Sequence, residues 1–416
     1  MSIKIFRYTF LFVLLVSTFT SCDIFDDVEV PETDTYLVSH DQYKSYLPAF
    51  IESAFDMFIP DYPELAAIKD KVDYGIIIYK ITYNTTFNGE PKLASGLVCV
   101  PMGTETFPVL SYQNGTNTLH NHAPSVDPDD ELYLLLEFMA STGFIVAIPD
   151  YLGFGVADDM FHPYLHGEST VQTVTDMLRA VDELVNHHLD INMSNDLYIS
   201  GYSQGGWATM KVQKAIDTQF PGEFNLKASA CGAGPYNLNT INEYVIAQQE
   251  YPMPYFVGYI FNSYMNLELT TPITDIFQEP YAGSIPNLYD GSKSGDEINE
   301  QLTTTVAELF TEDYIANQAT DNKYEPVHEM LNDNSVNAYS TTTPTLIIHG
   351  TDDTFVPYIV SDDIYNEFMA AGVSGGVVKL VPLQGHNHTS GILPSGLISI
   401  TWFLDIRDGT NISELL

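Results

Sequence analysis

The stretch that decides the fold is LYISGYSQGGWATMKV, at residues 197–212. It joins an apolar run of strand character to a helix-forming run through the turn GYSQG at residues 201–205. This is the G-x-S-x-G pattern in its strand–turn–helix setting, where the turn is so tight that only very small residues fit two positions before and after the serine. The pattern predicts that Ser203 is held clear of a sheet as a nucleophile. The alternative is a tight turn with a purely structural role.

Strand and helix signals alternate along most of the remaining chain. The segment from Asp73 to Val100 alternates apolar and polar residues around Asn88-Gly89, which predicts a hairpin. Alternating strands and helices of this kind form a mostly parallel sheet with helices on both faces, so the predicted fold class is α/β. Further strands are predicted at residues 107–112, 144–148, 197–200, 226–231, 344–348 and 377–381, and helices at 130–141, 169–187, 359–371 and 395–405.

One long segment interrupts this alternation. Residues 236–340 contain no clear buried strand and are rich in tyrosine and phenylalanine. An insertion of this length in a compact domain is usually functional. We expect a helical cap over the active site whose aromatic face lines an acyl pocket; the alternative is a packed subdomain whose aromatic residues are core. The predicted α/β-hydrolase core then comprises residues 46–235 and 341–416, and the polar, acidic residues 22–45 form a tether.

A serine hydroxyl needs a base, and the base needs a group that orients it. In sheets of this type the order along the chain is Ser, then Asp or Glu, then His. A carboxylate follows the strand that ends at Ile348, where Asp352 and Asp353 are both candidates. The histidine comes from the loop after the last strand, which contains His386 and His388. We favour His388, because it lies nearer the last predicted helix, and retain His386 as the alternative.

An oxyanion formed during attack by the serine needs two backbone N–H donors. The first is predicted at Gln204, directly after the nucleophile, where the amino end of the following helix adds a positive dipole end. The second is predicted in the loop at residues 113–117, from Gly115 or Thr116, since glycine lets the backbone approach the substrate oxygen closely. The alternative for this loop is an ordinary Asn-Gly turn.

The amino terminus carries the signals of export. Two basic residues precede an apolar run at residues 10–16 that is too short to span a bilayer, which predicts a secretory signal peptide over residues 1–21. Residues 18–22 resemble a bacterial lipobox, which implies cleavage before Cys22 and lipidation of its thiol; the alternative is an ordinary signal peptide with an incidental cysteine. We therefore expect a protein that is secreted across the inner membrane and lipid-anchored at the outer membrane or cell surface.

The charge balance is strongly acidic, with 55 aspartate and glutamate residues against 15 lysine and arginine residues and a net charge of −40. An acidic surface repels nucleic acid, so we expect no DNA or RNA partner. Cys99 and Cys231 lie in strand-like sequence, and internal strands rarely present cysteines at bonding geometry, so we predict two buried free thiols. The histidine pairs at positions 187–188 and 120–122 lack the ligand spacing of a zinc site, and no metal site is predicted.

With these residues placed, the chain resembles α/β-hydrolases, and among them the secretory lipases and esterases of the lipase A type. The turn at residues 201–206 resembles that family's nucleophile turn. The run HGTDDTFVP at residues 349–357 resembles its H-G-x-x-D-x-x-V-P pattern, which identifies Asp353 as the triad carboxylate. The family's catalytic histidine precedes a helix with Trp-Phe, here Trp402-Phe403, which supports His388. Further stretches resemble the same family at residues 149–155, 162–166 and 177–180.

One departure from the family is Asn114, which stands where many members have histidine before the glycine, so the hydrogen bonding of that loop is expected to differ. The resemblance covers residues 70–408, and the segment at 236–340 matches only loosely. It implies hydrolysis of a carboxylic ester through an acyl-enzyme at Ser203, with no metal or organic cofactor. The alternatives are an esterase that removes acyl or feruloyl groups from polysaccharide, a serine peptidase, and a non-catalytic surface lipoprotein that binds ligands on a hydrolase scaffold.

Overall fold

The computed structural model describes residues 33–60 and 62–410. The predicted signal peptide at residues 1–21 and the predicted lipidation site at Cys22 lie outside this part of the chain. All of the described strands and helices belong to one compact unit that begins at Asp34. Among the described residues, no helix combines the length and the apolar character that a membrane crossing requires.

The described residues form one nine-stranded sheet, whose strands are β1 (Leu37–Tyr46), β2 (Ile76–Phe87), β3 (Glu90–Pro101), β4 (Thr106–Gln113), β5 (Ile145–Pro149), β6 (Asn192–Tyr202), β7 (Asn225–Gly232), β8 (Thr345–Gly350) and β9 (Val378–Leu383). Their order is β1-β2-β3-β5-β4-β6-β7-β8-β9. The pairs from β1 to β5 in this order are antiparallel, and the five pairs from β5 to β9 are parallel. This mixed, mostly parallel sheet confirms the predicted α/β fold class.

Helices occupy the connection between β1 and β2 and the connections between the strands from β4 to β9. Those that flank the sheet are α1 (Pro48–Phe58), α2 (Ala66–Lys69), α3 (Glu131–Phe138), α4 (Gly167–Glu183) and α5 (Gln204–Thr218). Between β7 and β8 lie α6 (Leu238–Ile246), α7 (Pro254–Asn266), α8 (Ile273–Ile276), α9 (Tyr281–Ser284), α10 (Gly295–Asn299), α11 (Val306–Leu309), α12 (Glu312–Asn317) and α13 (Glu325–Asn334). The last two are α14 (Ile359–Ala370) and α15 (Ile392–Asp408). A π-helical turn, Leu184–His188, extends α4. Short 3-10 helices are Pro63–Leu65, His120–His122, Met139–Thr142, Gly155–Ala157, Ile285–Asn287 and Asn322–Tyr324.

Alternate residues of the central strands enter two separate apolar layers. In β6, Leu197 and Ile199 pack in one layer together with Trp207 of α5. Tyr198 points to the opposite face, where its ring centroid lies 5.2 Å from that of Phe403 in α15. The sheet is therefore covered on both faces, as predicted, and its central strands are apolar on both sides.

The first strand corrects part of the tether predicted at residues 22–45, of which the structure describes residues 33–45. β1 pairs antiparallel with β2 and forms one edge of the sheet. Its sequence is mostly polar because Leu37 is its only buried residue. A polar edge strand avoids pairing with other chains, and for the same reason it resembles a linker in sequence. The ordered core therefore begins by Leu37 and not at residue 46.

Residues 236–340, called the helical segment below, leave the sheet after β7 and return to it before β8. The described elements of this segment are helices, with no strand among them, as the sequence predicts. Several of its aromatic side chains are fully buried, including Tyr236, Tyr264, Tyr314 and Tyr324. Part of the aromatic content therefore forms the core of the segment itself, and other aromatic residues contact the site described below.

The two internal cysteines are buried free thiols, as predicted. Cys99 lies in the apolar layer that contains Tyr198, and Cys231 lies in the layer that contains Trp207. Burial raises the pKa of the Cys231 thiol to about 12 and that of the Cys99 thiol well above its usual range. The two thiols are therefore neutral side chains on opposite faces of the sheet.

Candidate active site

The parallel strands bring several loops to one edge of the sheet. Gln113 at the end of β4 lies opposite Gly201 of β6, and Gly350 at the end of β8 lies opposite Leu383 of β9. Because the carboxyl ends of parallel strands meet at the same edge, the loops that follow these four strands lie together. They contain all the residues predicted for catalysis.

Ser203 lies at the turn between β6 and α5 in a strained conformation, with φ at 60° and ψ at −122°. Residues other than glycine rarely adopt a positive φ, and such strain is concentrated at functional turns. The backbone segments around the turn approach so closely that a Cβ at Gly201 would collide with the carbonyl group of Gly205, and a Cβ at Gly205 with that of Gln113. This crowding is the physical reason for the two glycines of the motif.

His388 lies between Ser203 and Asp353. Its Nδ1 is 2.6 Å from Asp353 Oδ2, and its Nε2 is 2.9 Å from Ser203 Oγ. Because a carboxylate only accepts hydrogen bonds, Nδ1 carries the proton and Nε2 can accept the serine proton. Tyr202 donates its hydroxyl proton to the backbone carbonyl of His388 over 2.7 Å, which fixes this residue beside the nucleophile turn. The side chain of Asp353 is wholly buried, and that of His388 is 9% exposed.

The two carboxylate oxygens of Asp353 have different partners. Oδ1 accepts the backbone N–H groups of Phe355 and Val356, each over 2.9 Å. Oδ2 accepts from His388 and, over 3.1 Å, from His349. Burial by itself would raise the pKa of Asp353, but the hydrogen bonds from the two histidines outweigh it and lower that pKa to about 2. Asp353 is therefore an ionised carboxylate at neutral pH.

His349 is a site residue that sequence reasoning did not assign. It is fully buried in β8, and its Nε2–H lies within reach of both Asp353 Oδ2 and the carbonyl oxygen of Val356, at 3.1 and 2.9 Å. Ser361 Oγ, 2.6 Å from Nδ1, completes its contacts. Its position four residues before Asp353, as the first residue of the H-G-x-x-D pattern, is the sequence signal that could have identified it.

The structure separates the two candidates of each predicted pair. His386 Nδ1 lies 2.9 Å from the carbonyl oxygen of Ser390, whereas the imidazole nitrogen within hydrogen-bond distance of Ser203 Oγ is that of His388. Asp352 is exposed, and its backbone N–H donates to the carbonyl oxygen of His386 over 3.0 Å. The side chains brought to Ser203 are therefore those of His388 and Asp353.

The predicted oxyanion donors flank the nucleophile turn. Gln204 is the first residue of α5, so its backbone N–H lies at the amino end of that helix. Gly115 lies against the other side, where a Cβ would be 3.5 Å from the carbonyl oxygen of Tyr202. Thr116 is held by a 2.8 Å hydrogen bond between its hydroxyl and that of Tyr164. Asn114, the departure from the family pattern, donates its side-chain amide to the carbonyl oxygen at the end of β5 and so ties this loop to the sheet.

His162 is a second residue that sequence reasoning left without a role. It is buried, and burial lowers its pKa to about 4, so its imidazole is neutral at pH 7. Nδ1 lies 2.7 Å from the carbonyl oxygen of Leu152 and therefore carries the proton. Nε2 then accepts the side-chain amide of Gln204 over 2.9 Å. The imidazole thus fixes the residue whose backbone N–H is the first predicted oxyanion donor.

The helical segment contacts both loops beside Ser203. Tyr259 donates to the carbonyl oxygen of Asn117 over 3.2 Å, and its ring stacks on Tyr164 with centroids 4.4 Å apart. Tyr251 donates to the carbonyl oxygen of Phe355 over 3.0 Å. The ring of Phe355 lies 5.5 Å from that of His388. The surroundings of the imidazole are therefore aromatic on the side of the helical segment.

Solved structures share this fold. The rice cell wall degrading esterase LipA from Xanthomonas oryzae is 25% identical, with a TM-score of 0.73 over 89% of this chain and 97% of that chain. A putative hydrolase from Legionella pneumophila is 26% identical, with a TM-score of 0.77 over 92% of this chain and 100% of that chain. Candida antarctica lipase A in its closed state is 16% identical, with a TM-score of 0.64 over 90% of this chain and 82% of that chain, and this likeness concerns the fold alone.

Sequence comparisons identify the family. No curated protein sequence matches this chain. The sequence profile of the family described as Secretory lipase matches residues 124–413, which is more than half of the chain. The matched region contains Ser203, His388 and Asp353 together with the whole helical segment. The chain therefore belongs to the secretory lipase family of α/β-hydrolases.

Proposed function

We propose that the protein is a serine carboxylic ester hydrolase in which Ser203 is the nucleophile, His388 the base and Asp353 the carboxylate that orients the base. The observation that carries this proposal is the continuous hydrogen bonding from Ser203 Oγ through His388 to Asp353, over 2.9 and 2.6 Å. Nucleophile, base and orienting group within hydrogen-bond distance are the signature of an activated serine. The family supplies the reaction class, because its members are lipases and esterases.

In the acylation step, Ser203 Oγ attacks the ester carbonyl carbon while His388 Nε2 takes the hydroxyl proton. The backbone N–H groups of Gln204 and of Gly115 or Thr116 donate hydrogen bonds to the carbonyl oxygen and stabilise the negative charge that forms on it. His388 then gives its proton to the leaving alcohol, and the acyl group remains on the serine.

In the deacylation step, His388 takes a proton from water as the water oxygen attacks the acyl carbon. The bond between that carbon and Ser203 Oγ then breaks, His388 returns the proton to Oγ, and the acid is released. Asp353 stabilises the imidazolium ion that forms in both steps. Its pKa of about 2 keeps the carboxylate ionised, so its charge is present whenever the imidazole is protonated. Neither step requires a metal or an organic cofactor.

The substrate pocket is assigned to the helical segment acting as a cap over the core. Tyr259 and Tyr251 tie this segment to the two loops that flank the nucleophile. Phe256 lies 6.4 Å, ring to ring, from Phe355, which in turn faces His388. Aromatic surface at this position favours an apolar acyl group over a charged one.

An ester of a plant-type polysaccharide is the second candidate substrate. The LipA esterase of Xanthomonas oryzae acts on rice cell wall, and 97% of that chain aligns with this one. Hydrolysis rates with p-nitrophenyl esters of two to sixteen carbons, with feruloylated sugars and with peptides discriminate lipid esterase, polysaccharide esterase and peptidase. The aromatic surroundings of His388 predict that a p-nitrophenyl ester of an apolar acid has a higher kcat/KM than the feruloylated sugars and the peptides.

A fluorophosphonate probe tests the nucleophile, because only an activated serine reacts with it. The native protein should be labelled once per chain, and Ser203→Ala should lose both the label and ester hydrolysis while its circular dichroism is unchanged. Ser194→Ala, at the opposite end of β6, is the matched control and should keep both. A native protein that takes no label would instead be a binding protein on a hydrolase scaffold.

The same proposal places the protein outside the inner membrane, anchored through Cys22. The support is the apolar run at residues 10–16, the lipobox-like end of that segment and the secretory character of the family. Labelling of growing cells with radioactive palmitate should mark the native chain and not a Cys22→Ser variant. Release of an unlabelled native chain into the soluble fraction would indicate an ordinary signal peptide.

A further inference from the structure

A second group of chemically reactive side chains lies at the surface, away from Ser203. Asp34 contacts two adjacent histidines: its Oδ1 is 2.6 Å from His187 Nδ1, and its Oδ2 is 2.6 Å from His188 Nε2. These three residues are called the edge cluster. Their ligand atoms all lie within 4.8 Å of one another, and their side chains are 20–34% exposed. The cluster is therefore compact and open to solvent.

The edge cluster is assembled from two elements that are distant in sequence. Asp34 precedes β1, and the two histidines end the π-helical turn Leu184–His188 that follows α4. π-helical turns are rare and often mark functional positions. A further imidazole, that of His40 in β1, lies over His188 with ring centroids 4.9 Å apart. This ring restricts the orientation of His188.

The segment that carries Asp34 is held in place independently of the histidines. The carboxylate of Glu183 accepts the backbone N–H groups of Thr35 and Tyr36 over 2.8 Å and that of Leu37 over 2.6 Å. Glu183 is the last residue of α4 and directly precedes the π-helical turn. Three hydrogen bonds thereby join the segment that carries Asp34 to the end of α4, from which the two histidines follow. The ligand atoms are therefore close together before any ion binds.

The donor atoms of the cluster define the class of ion. Two imidazole nitrogens and one carboxylate oxygen suit zinc and neighbouring transition metals, whereas calcium and magnesium prefer oxygen ligands only. A tetrahedral zinc with bonds of about 2.0–2.1 Å places its ligand atoms about 3.3 Å apart. The 2.6 Å contacts can open to that separation by small side-chain rotations, because the three side chains are partly exposed.

We propose that Asp34, His187 and His188 form a zinc-binding site that fastens the start of β1 to the end of α4, with solvent in the fourth position. We assign the site a structural role, because it joins two chain segments and lies near the amino end of β6, whereas the catalytic residues lie at the carboxyl end. His188 precedes the first residue of β6 by four positions, and Ser203 follows its last residue. The eleven residues of that strand span about 35 Å at the usual rise per residue.

Titration with Zn²⁺ alone tests the site. The chain is prepared without a histidine tag, with Cys22→Ser to remove a competing thiol, and is stripped with EDTA. We expect one Zn²⁺ per chain by calorimetry and a thermal unfolding temperature that rises with Zn²⁺ concentration, since the ion binds the folded state. Combining His187→Ala with His188→Ala should weaken binding by more than the roughly 10–100-fold that loss of an outer-shell partner produces, and should abolish the rise in unfolding temperature.

Three controls make the result decisive. His122→Ala removes an exposed histidine outside the cluster and should bind Zn²⁺ like the parent. Asp34→Asn keeps the shape of the side chain and should weaken Zn²⁺ binding. Ester hydrolysis should be unchanged in every variant, which would show that the fold is intact. Titration with Ca²⁺ measures nonspecific attraction of cations by the acidic surface. Equal affinity for Ca²⁺ and Zn²⁺, no stoichiometric Zn²⁺ in the parent, or unchanged binding in the double variant would each overturn the proposal.

Discussion

Two aspartates in this protein each contact two histidines, and the surroundings of the two clusters differ. The side chain of Asp353 is wholly buried between His349 and His388, which is 9% exposed, whereas the side chain of Asp34 in the edge cluster is 22% exposed. One oxygen of Asp353 accepts two backbone N–H groups and the other accepts both imidazoles. In the edge cluster each carboxylate oxygen takes one imidazole.

The comparison teaches what an aspartate–histidine contact needs in order to act as a catalytic pair. Burial excludes water and strengthens each hydrogen bond, and the backbone donors leave Asp353 one oxygen with which to orient His388. The second nitrogen of His388 is thereby directed at Ser203. In the edge cluster each carboxylate oxygen contacts one imidazole and the side chains are partly exposed, so the same residue types suit ion binding.

The largest expected effect separates the two histidines of the loop after β9. His388→Ala should lower kcat for p-nitrophenyl acetate at least about 10⁴-fold, because it removes the imidazole nitrogen that lies 2.9 Å from Ser203 Oγ and takes its proton. His386→Ala is the matched control and should leave kcat nearly unchanged, since its imidazole bonds Ser390. A larger loss of kcat in His386→Ala than in His388→Ala would identify His386 as the base. The cluster of Asp353, His388 and His349 would then not be the catalytic one.

The next effect compares the two aspartates directly. Asp353→Asn should lower kcat about 10³–10⁴-fold, because an amide no longer holds the imidazole in its productive tautomer or stabilises its charged form. Asp34→Asn should leave kcat unchanged, because its histidine partners lie near the amino end of β6 and the catalytic residues lie at the carboxyl end. Steady-state kinetics of both variants measures the difference. A comparable loss in Asp34→Asn would show that the edge cluster supports the catalytic site.

His162 shows what burial does to an imidazole that has no carboxylate partner. Burial lowers its pKa from 6.5 to about 4, so between these values the unfolded chain binds a proton that the folded chain does not. Stability from this site is therefore present above pH 6.5 and is lost as the pH falls to 4, by up to about 3 kcal/mol. Urea unfolding of His162→Phe should show a flatter dependence of the free energy on pH across this window.

The matched control for that experiment is His122→Phe, which should follow the native profile because His122 is exposed. Glu137 has the opposite sign: burial raises its pKa to about 8, so its stabilising proton is lost as the pH rises toward 8. Because Glu137 is present in every variant, its contribution cancels in the difference. Identical profiles for His162→Phe and the native protein would show that the buried imidazole is protonated after all.

The smallest effect concerns the edge cluster without metal. His188→Ala in EDTA should change the free energy of unfolding by less than about 1 kcal/mol, because exposed ion pairs contribute little in water. Urea unfolding of the EDTA-treated variant and its parent gives this value. A loss of about 3–5 kcal/mol would instead indicate a buried pair, and the contrast with Asp353 would disappear.

Much of the catalytic site was predictable because each part leaves a local pattern. The tight turn around Ser203 demands glycines at fixed positions, and the carboxyl ends of strands place Asp353 and His388 in chain order. His349 belongs to the same local pattern as Asp353, and the structure adds its burial and its contact with Oδ2. The role of His162 was not predictable in this way, because its partner Gln204 lies in another loop and packing alone sets the distance between them.

The same reasoning explains two features at the amino end that the local sequence does not reveal. β1 was predicted as a tether because an exposed edge strand lacks the apolar alternation by which strands are recognised. His187 and His188 were set aside as zinc ligands because no carboxylate or cysteine follows at a suitable spacing. Their partner Asp34 is about 150 residues earlier in the chain. It is brought near by tertiary contacts, namely the pairing of β1 with β2 and the hydrogen bonds of Glu183 to residues 35–37.

The amino-acid sequence by itself determined the alternation of strands and helices, the strained turn at Ser203 and the order of the catalytic residues, since these depend on backbone sterics and on neighbours within a few positions. Tertiary structure alone decided which of two histidines reaches the serine, which imidazoles are buried and neutral, and which distant carboxylate meets the histidines at the end of α4. Hydrogen bonds and burial act over a few ångströms in space, and distance along the chain does not report that separation.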